Sequence, residues 1–387
     1  MNPSLSIFTN KQFQNLAVTH LCTILGTNLL VPVLPIFFHS RGMAETQIGL
    51  IMGATAATAL IFRPWVGAQA DLRGSRPIIL VGQLLFILTT IGYWWAAAFW
   101  SFLILRLVSG SAMAFYGTGA VTFASSIGTG ETNASSIAMY TMITMLGFGF
   151  GLSAAQIAYD LVGFDALIGI SLALLLTAFA VMKFRASPIV LTGGGSQRAS
   201  FMAVLRSPIV LAAFSCQFAT NFAGGAVLTF MPLASLASGL SFFSVFFISF
   251  AVSVFSSRFL VQSINDRFGL EKSCVYACAA MLVSVILPVA AMSYLTLVLS
   301  GLLFGIGFGI VFPSLVLLLV KRIDKSNRAT SLSILTASGD IGHASSTFLM
   351  GGIAEHLGYT ALFLTTGVVL VACTYGFVRL SGIRPAI

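Results

Sequence analysis

Asp340 is an acid set in the middle of a long apolar stretch, and His343 follows it by three residues. With Thr336 and Thr347 they stand at helical spacing, which puts all four on one polar stripe. A carboxyl group and an imidazole placed together in apolar surroundings can bind and release a proton as access to water changes. Arg106 lies in another apolar stretch, where a guanidinium is costly unless it faces an acid, backbone carbonyls or water. It therefore has such a partner, or its side chain reaches for the nearer interface. His20, Thr23, Thr27 and Asn28 sit in the first apolar stretch, and Gln217 and Asn221 stand four apart in a later one. These groups, with Thr336, can hydrogen bond a small substrate or a neighbouring helix, and Tyr116, with Phe115 and Tyr140, supplies apolar wall. A nucleophile and base set is missing from the pattern. The five cysteines lie in apolar stretches, and Cys274 and Cys278, four apart, have no His or acid beside them, so neither a metal site nor a disulfide framework is expected. An enzyme is therefore not expected, and a signalling receptor would need an output surface that these short loops do not offer.

The elements that must position these groups follow from composition. Of the residues, 58% are hydrophobic and 7% charged, and the mean hydropathy is +1.00. Too little polar surface exists to cover a water-soluble globule. A spanning helix takes about 20 apolar residues, and the chain offers twelve such stretches, near 13–38, 46–70, 77–99, 101–126, 134–158, 164–184, 207–235, 241–264, 273–293, 295–320, 329–354 and 359–380. The first is read as a span, because it is too long for a cleavable signal. The net charge of +9 reports topology rather than a nucleic-acid partner: with both termini cytoplasmic, Lys11, Arg73, Arg76, Lys183, Arg185, Lys321, Arg322 and Arg379 all fall inside. Arg41 then lies outside, where Glu45, Asp160, Asp165 and Glu355 collect. A multi-pass protein of the cell's inner membrane is expected. A flexible basic segment, Thr192 to Arg198, divides it into a bundle over 1–184, a cytoplasmic linker over 185–206 and a second bundle over 207–387.

The chain also repeats itself at a shift of 195 residues. Arg63, Asp71 and Gly74 recur as Arg258, Asp266 and Gly269. Asp160, Gly163 and Phe164 recur as Glu355, Gly358 and Tyr359. Two related sets of six apolar segments are the pattern of a duplicated membrane transporter. Asp340, His343 and Arg106 do not repeat: the positions related to them hold Met145, Phe148 and Gly301.

Gly67-Ala-Gln-Ala-Asp71-Leu-Arg73-Gly74-Ser-Arg76, between the second and third spans, resembles the signature loop of the major facilitator superfamily, with a degenerate second copy at Asn265 to Gly269. Arg106, followed four residues on by Gly110, looks like a second motif of that family. Gly147, Gly149 and Gly151 are similar to its glycine-rich exchanger motif, although Leu152 and Ala155 replace the usual proline and glycine. The resemblance covers the whole chain. It implies an all-α fold of twelve transmembrane helices in two pseudo-symmetric six-helix bundles, with spans 1, 4, 7 and 10 lining a central cavity. It also implies gating by the loop residues Arg63, Gly67, Asp71, Arg73, Gly74, Arg76, Arg258, Asp266 and Gly269, with Asp71 facing the start of span 11 near Ser326 and Asp266 the start of span 5 near Asn133. An arginine in the place of Arg106 is associated in the family with proton coupling.

The expected function is alternating-access transport of a small organic molecule, driven by the proton gradient with no cofactor, by a monomer in a lipid bilayer. Proton-coupled efflux of a drug-like compound or metabolite is the first reading. Import of a sugar, carboxylate or other small nutrient by proton symport is the alternative.

Overall fold

The computed structural model describes residues 10–127, 131–186, 204–324 and 327–382, and within them only the side chains of 71, 131–134 and 329 are left undescribed. Among the described residues all regular structure is helical: α1 Lys11–Asn28, α2 Val33–Ser40, α3 Glu45–Arg73, α4 Ser75–Gly92, α5 Phe99–Ser126, α6 Glu131–Phe184, α7 Pro208–Ala237, α8 Ser244–Phe268, α9 Leu270–Ala290, α10 Tyr294–Arg322 and α11 Arg328–Ser381. A backbone surrounded by hydrocarbon must satisfy its own N–H and C=O groups, and the helix does this within one segment. Helices α1 and α2 form one apolar stretch interrupted at residues 29–32, where Pro32 supplies no N–H. By contrast α7 continues through Pro232.

Among the described residues ten helices, with α1 and α2 counted as one, are long and apolar enough to cross a membrane, and two of these apolar stretches are 50 and 52 residues long. At about 1.5 Å per residue either would run more than twice the bilayer core, and each is broken inside by one glycine. Gly163 in α6 has φ 76° and ψ 175°, and Gly358 in α11 has φ 81° and ψ 171°. The chain doubles back at each. Along α1, Gly147 and Gly151 of the first arm of α6 meet Ile24 and then Asn28 in the same sense. The second arm runs the other way, with the Ser171 hydroxyl on Gly26 O at 2.5 Å and the Thr19 hydroxyl on Ala178 O at 3.5 Å. In α11 the Thr366 hydroxyl lies 3.6 Å from Met350 Sδ, across the break. Split at these glycines, the ten helices give twelve apolar segments.

The internal repeat is a repeat of backbone geometry. Gly74 (φ 82°, ψ 161°) and Gly269 (φ 81°, ψ 157°) turn the chain between α3 and α4 and between α8 and α9. Gly163 and Gly358 form the second pair at the same shift. All four occupy a region that only glycine visits without strain.

By packing, the chain divides into two compact units, Met1–Phe37 with Ala54–Gly194 and Phe38–Gly53 with Gly195–Ile387. Most of the basic linker lies outside the described residues. In the first unit the core gathers Leu16, Ile79, Phe86, Tyr116, Phe123 and Leu175. In the second, Phe246, Phe250 and Phe304 pack ring to ring, and Ser284 and Ser300 each donate to the other's carbonyl at 2.8 and 2.9 Å. Large apolar side chains such as Trp65, Trp95, Trp100, Phe150, Phe259 and Leu295 stand exposed, as a lipid solvent permits. Trp94, Trp95 and Trp100 cluster where α4 turns into α5, the placement of an interfacial aromatic belt.

Gly358→Ala should therefore destabilise the protein by about 1–3 kcal/mol through backbone strain alone, since an added Cβ meets nothing within 4 Å. Gly169→Ala, also in open space but without a positive φ, should be neutral or slightly stabilising. Thermal unfolding of the two purified variants in detergent checks the contrast.

Candidate functional site

In the first unit the polar residues converge on His20, which is 1% exposed. Its Nδ1 lies 2.9 Å from the Tyr116 hydroxyl and its Nε2 2.7 Å from Thr144 Oγ1. The ring stacks on Tyr140 with centroids 4.1 Å apart. The Thr144 hydroxyl spends its proton on Tyr140 O at 2.9 Å, so its oxygen must accept from His20 Nε2–H. In the neutral ring Nδ1 is then the acceptor, and Tyr116 donates to it. Beside this group Gln83 Nε2 donates to Thr23 Oγ1 at 3.3 Å, while Thr23 donates to Thr19 O at 2.8 Å. His20 and Tyr116 are thus brought together. Asn28 is apart from them, its amide bonded to Ile24 O at 2.8 Å. Gly147 and Gly151 of the glycine-rich motif are the points where α6 lies against α1.

Arg106 is buried at 8% exposure and donates to the Tyr93 hydroxyl at the end of α4. It stands seven residues into α5, about 10 Å from that helix's start. Gly110 lies so close to Thr55 O of α3 that a Cβ would overlap it, and Thr55 Oγ1 donates to Arg106 O at 3.3 Å.

In the second unit α7 and α11 meet backbone to backbone. A Cβ on Gly342 would overlap Phe218 O, and one on Gly225 would lie 2.8 Å from His343 O. One on Gly339 would fall 3.1 Å from Asn221 Nδ2 and 3.3 Å from Gln217 Nε2. The two amides therefore converge on the residue before Asp340. Asp340 and His343 are half-buried, Thr336 is exposed and Thr347 is buried, so the predicted stripe runs from an accessible end to a buried one. Elsewhere on α7, Cys216 meets Cys274 and Cys278 of α9, with the Cys216 and Cys278 sulfurs 3.7 Å apart and no disulfide among the three. Among the described residues no group of three His, Cys, Asp or Glu could hold a metal.

Of the loop residues, Arg76 donates to Met182 O at 3.3 Å and Lys183 O at 2.5 Å, closing the C-terminus of α6. Arg73 and Asp266 are exposed, and Arg63 and Arg258 half-buried. Beside Asp266, Asn265 accepts the Ser314 hydroxyl at 2.9 Å, tying α8 to α10. A Cβ on Gly67 would meet nothing within 4 Å. The side chains of Asp71 and Asn133, and Ser326, lie outside the described residues.

The sequence reading did not single out Thr144, Gln83 or Tyr93. Gln83 carries a signal, as the one side-chain amide in its apolar stretch. Thr144 follows Tyr140 by one helical turn, which becomes informative only once both are seen against His20.

The sequence pattern of the Major Facilitator Superfamily matches residues 16–287 and 257–385. The chain belongs to this superfamily. Its fold is the superfamily's, and it is a multi-pass membrane transporter rather than an enzyme. Among curated relatives, the staphylopine export protein of Staphylococcus aureus is 23% identical over 97% of both chains. The multidrug resistance protein MdtG of Klebsiella pneumoniae is 26% identical over 96% of this chain and 94% of its own. The multi-drug resistance efflux pump PmrA of Streptococcus pneumoniae is 23% identical over 91% and 92%. Among solved structures, a mutant form of the nucleoside transporter NupG superposes with a TM-score of 0.80 at 13% identity, over 96% of this chain and all of that one. The human organic anion transporter MFSD10 gives 0.70 at 16%, over 95% and 99%. These likenesses speak for the fold.

Tyr116→Phe would leave His20 Nδ1 a buried acceptor without its donor, at a cost of about 1–3 kcal/mol. Tyr140→Phe keeps the stacked ring and should cost less. Thermal unfolding of both variants in detergent measures the difference.

Proposed function

We propose that this transporter exports a small drug-like compound or metabolite in exchange for protons, cycling by alternating access, with Asp340 binding the coupling proton beside His343. The observation that carries this reading is the position of Asp340 in the second unit. It is a half-buried acid on an apolar helix, next to the glycine on which the amides of Gln217 and Asn221 converge. An acid kept at that depth is costly unless it works. The relatives named for export and multidrug efflux support the direction. In this reading Arg106 belongs to the relay, while His20, Asn28, Tyr116, Gln217, Asn221 and Thr336 shape the substrate's surroundings. One proton moving inward through 100 mV releases about 2.3 kcal/mol, enough for a substrate gradient of tens-fold before any pH difference is added.

The same reading places a monomer in the inner membrane with both termini cytoplasmic, two six-helix bundles joined by the 185–206 linker, and gating by Asp71, Asp266 and their neighbours. A second reading, proton symport importing a sugar, carboxylate or other small nutrient, is favoured by the paired amides, which suit a hydroxyl-rich or carboxylate substrate, and by Leu152 in place of the exchanger motif's proline.

The test is transport in proteoliposomes under an imposed pH gradient, with a pH-sensitive dye and a panel of cationic, zwitterionic and anionic probes that includes ethidium. Proton flux opposite to a probe in the wild type, falling at least about tenfold in Asp340→Asn, is the expected result. Flux in the same direction would establish the importer instead, and uphill transport by Asp340→Asn with unchanged pH dependence would remove Asp340 from the coupling.

A further inference from the structure

Where α8 turns into α9 in the second unit, the cations are held in different ways. Arg322, at the end of α10, is spent on Glu271 at 2.5 Å. Arg267, in the last turn of α8, instead lies over the Phe268 ring, its guanidinium carbon 5.3 Å from the ring centre. That ring meets Tyr276 of α9 edge to face, with centroids 5.4 Å apart and planes at 84°. Lys272 stands one helical turn before Tyr276 on the same face of α9. Arg267, Phe268, Lys272 and Tyr276 are all exposed.

A ring beneath a guanidinium steadies it and leaves its in-plane N–H groups, the fork that matches phosphate oxygens, for an acceptor. The comparison with Arg379 is instructive, because that residue's Nε already donates to the hydroxyl of its ring partner Tyr375 at 2.7 Å. Phe268 has no such group to offer. Lys272 adds a second positive charge, and of the neighbouring acids Glu271 is neutralised by Arg322 while Asp266 stands about 100° round α8 from Arg267.

Below these cations the surface turns wholly apolar. Tyr276, Ala279, Val283, Ile286 and Ala290 follow Lys272 at steps of three and four residues, and every one of them is exposed. This is the face that α9 presents to hydrocarbon. At about 1.5 Å per residue the 21 residues of α9 match the thickness of a bilayer core, so Lys272 lies at one interface and the stripe runs down through one leaflet and into the other. Ala279, between the larger Tyr276 and Val283, leaves a notch in that face. The combination does not recur in the first unit, where the related positions hold Leu72, Arg73, Pro77 and Val81.

We propose that the α8–α9 corner is a binding site for one anionic phospholipid of the phosphatidylglycerol class. Its phosphodiester sits between Arg267 and Lys272, the Phe268 and Tyr276 rings flank its glycerol, and an acyl chain follows the α9 stripe past Ala279. Both parts are needed for recognition: the cations select the negative headgroup, and the stripe selects a molecule that carries a chain.

No substrate or proton enters the test, so its failure is separate from failure of the export reading. The full-length protein is purified in detergent and titrated with phosphatidylglycerol or with phosphatidylcholine of the same acyl chains, and native mass spectrometry counts the adducts. The wild type should hold one phosphatidylglycerol about tenfold more tightly than any phosphatidylcholine, equal to about 1.4 kcal/mol. Arg267→Gln with Lys272→Gln should remove that one tight adduct. Lys183→Gln with Arg379→Gln, which deletes two other cations lying over rings, should leave it in place. Glycerol 1-phosphate, which has the headgroup's phosphate and no chain, should not displace it. Equal affinity for the two lipids, an equal loss in the Lys183 and Arg379 variant, or displacement by glycerol 1-phosphate at the lipid's own concentration would each overturn the proposal.

Discussion

Helix pairing in lipid has little hydrophobic drive, because hydrocarbon tails are as apolar as leucine. Close approach of backbones must supply the adhesion. In this protein that constraint is met by missing side chains: Gly110 against Thr55, Gly225 and Gly342 between α7 and α11, and Gly301, Gly305 and Gly309 along α8. Polar groups become placeable as a result. The amides of Gln217 and Asn221 reach the backbone of α11 because residue 339 has no side chain to hold them off. Thr55 likewise reaches Arg106 O only because residue 110 lets α3 and α5 touch.

The two units share turns and differ in chemistry. Gly74 and Gly269, and Gly163 and Gly358, keep nearly the same φ and ψ across the repeat. The polar groups do not follow it. One unit holds a closed network of neutral groups around His20, and the other an acid and imidazole on a stripe that begins in the open at Thr336. The repeat therefore conserves the backbone frame while the groups able to bind a proton or hydrogen bond a ligand differ between the two units.

Much of the fold was legible in the sequence because its signals are local. Apolar runs mark the helices, and the 195-residue shift marks the turns, since a residue that must be glycine for its φ leaves an unambiguous letter. The stripe through Asp340 was legible for the same reason, being set by periodicity along one helix. Contacts between helices were not. Nothing in the spacing of His20 says that Thr144 receives its proton, and Arg106 gives no hint of Tyr93 until α4 and α5 are seen side by side. The membership of residues 38–53 was equally hidden, because sequence order places them with the first bundle while Gly49, Gly53 and Gly351 place them with the second unit.

At Gly163 and Gly358 the chain reverses through a single residue. A hairpin that tight leaves no loop to lengthen: an inserted epitope or protease site must either unwind the flanking turns or push an apolar arm out of register. The six residues between α4 and α5 carry no such restriction. Evolutionary insertions, and engineered ones, are thereby steered away from two of the chain's reversals, whatever the cargo the protein carries.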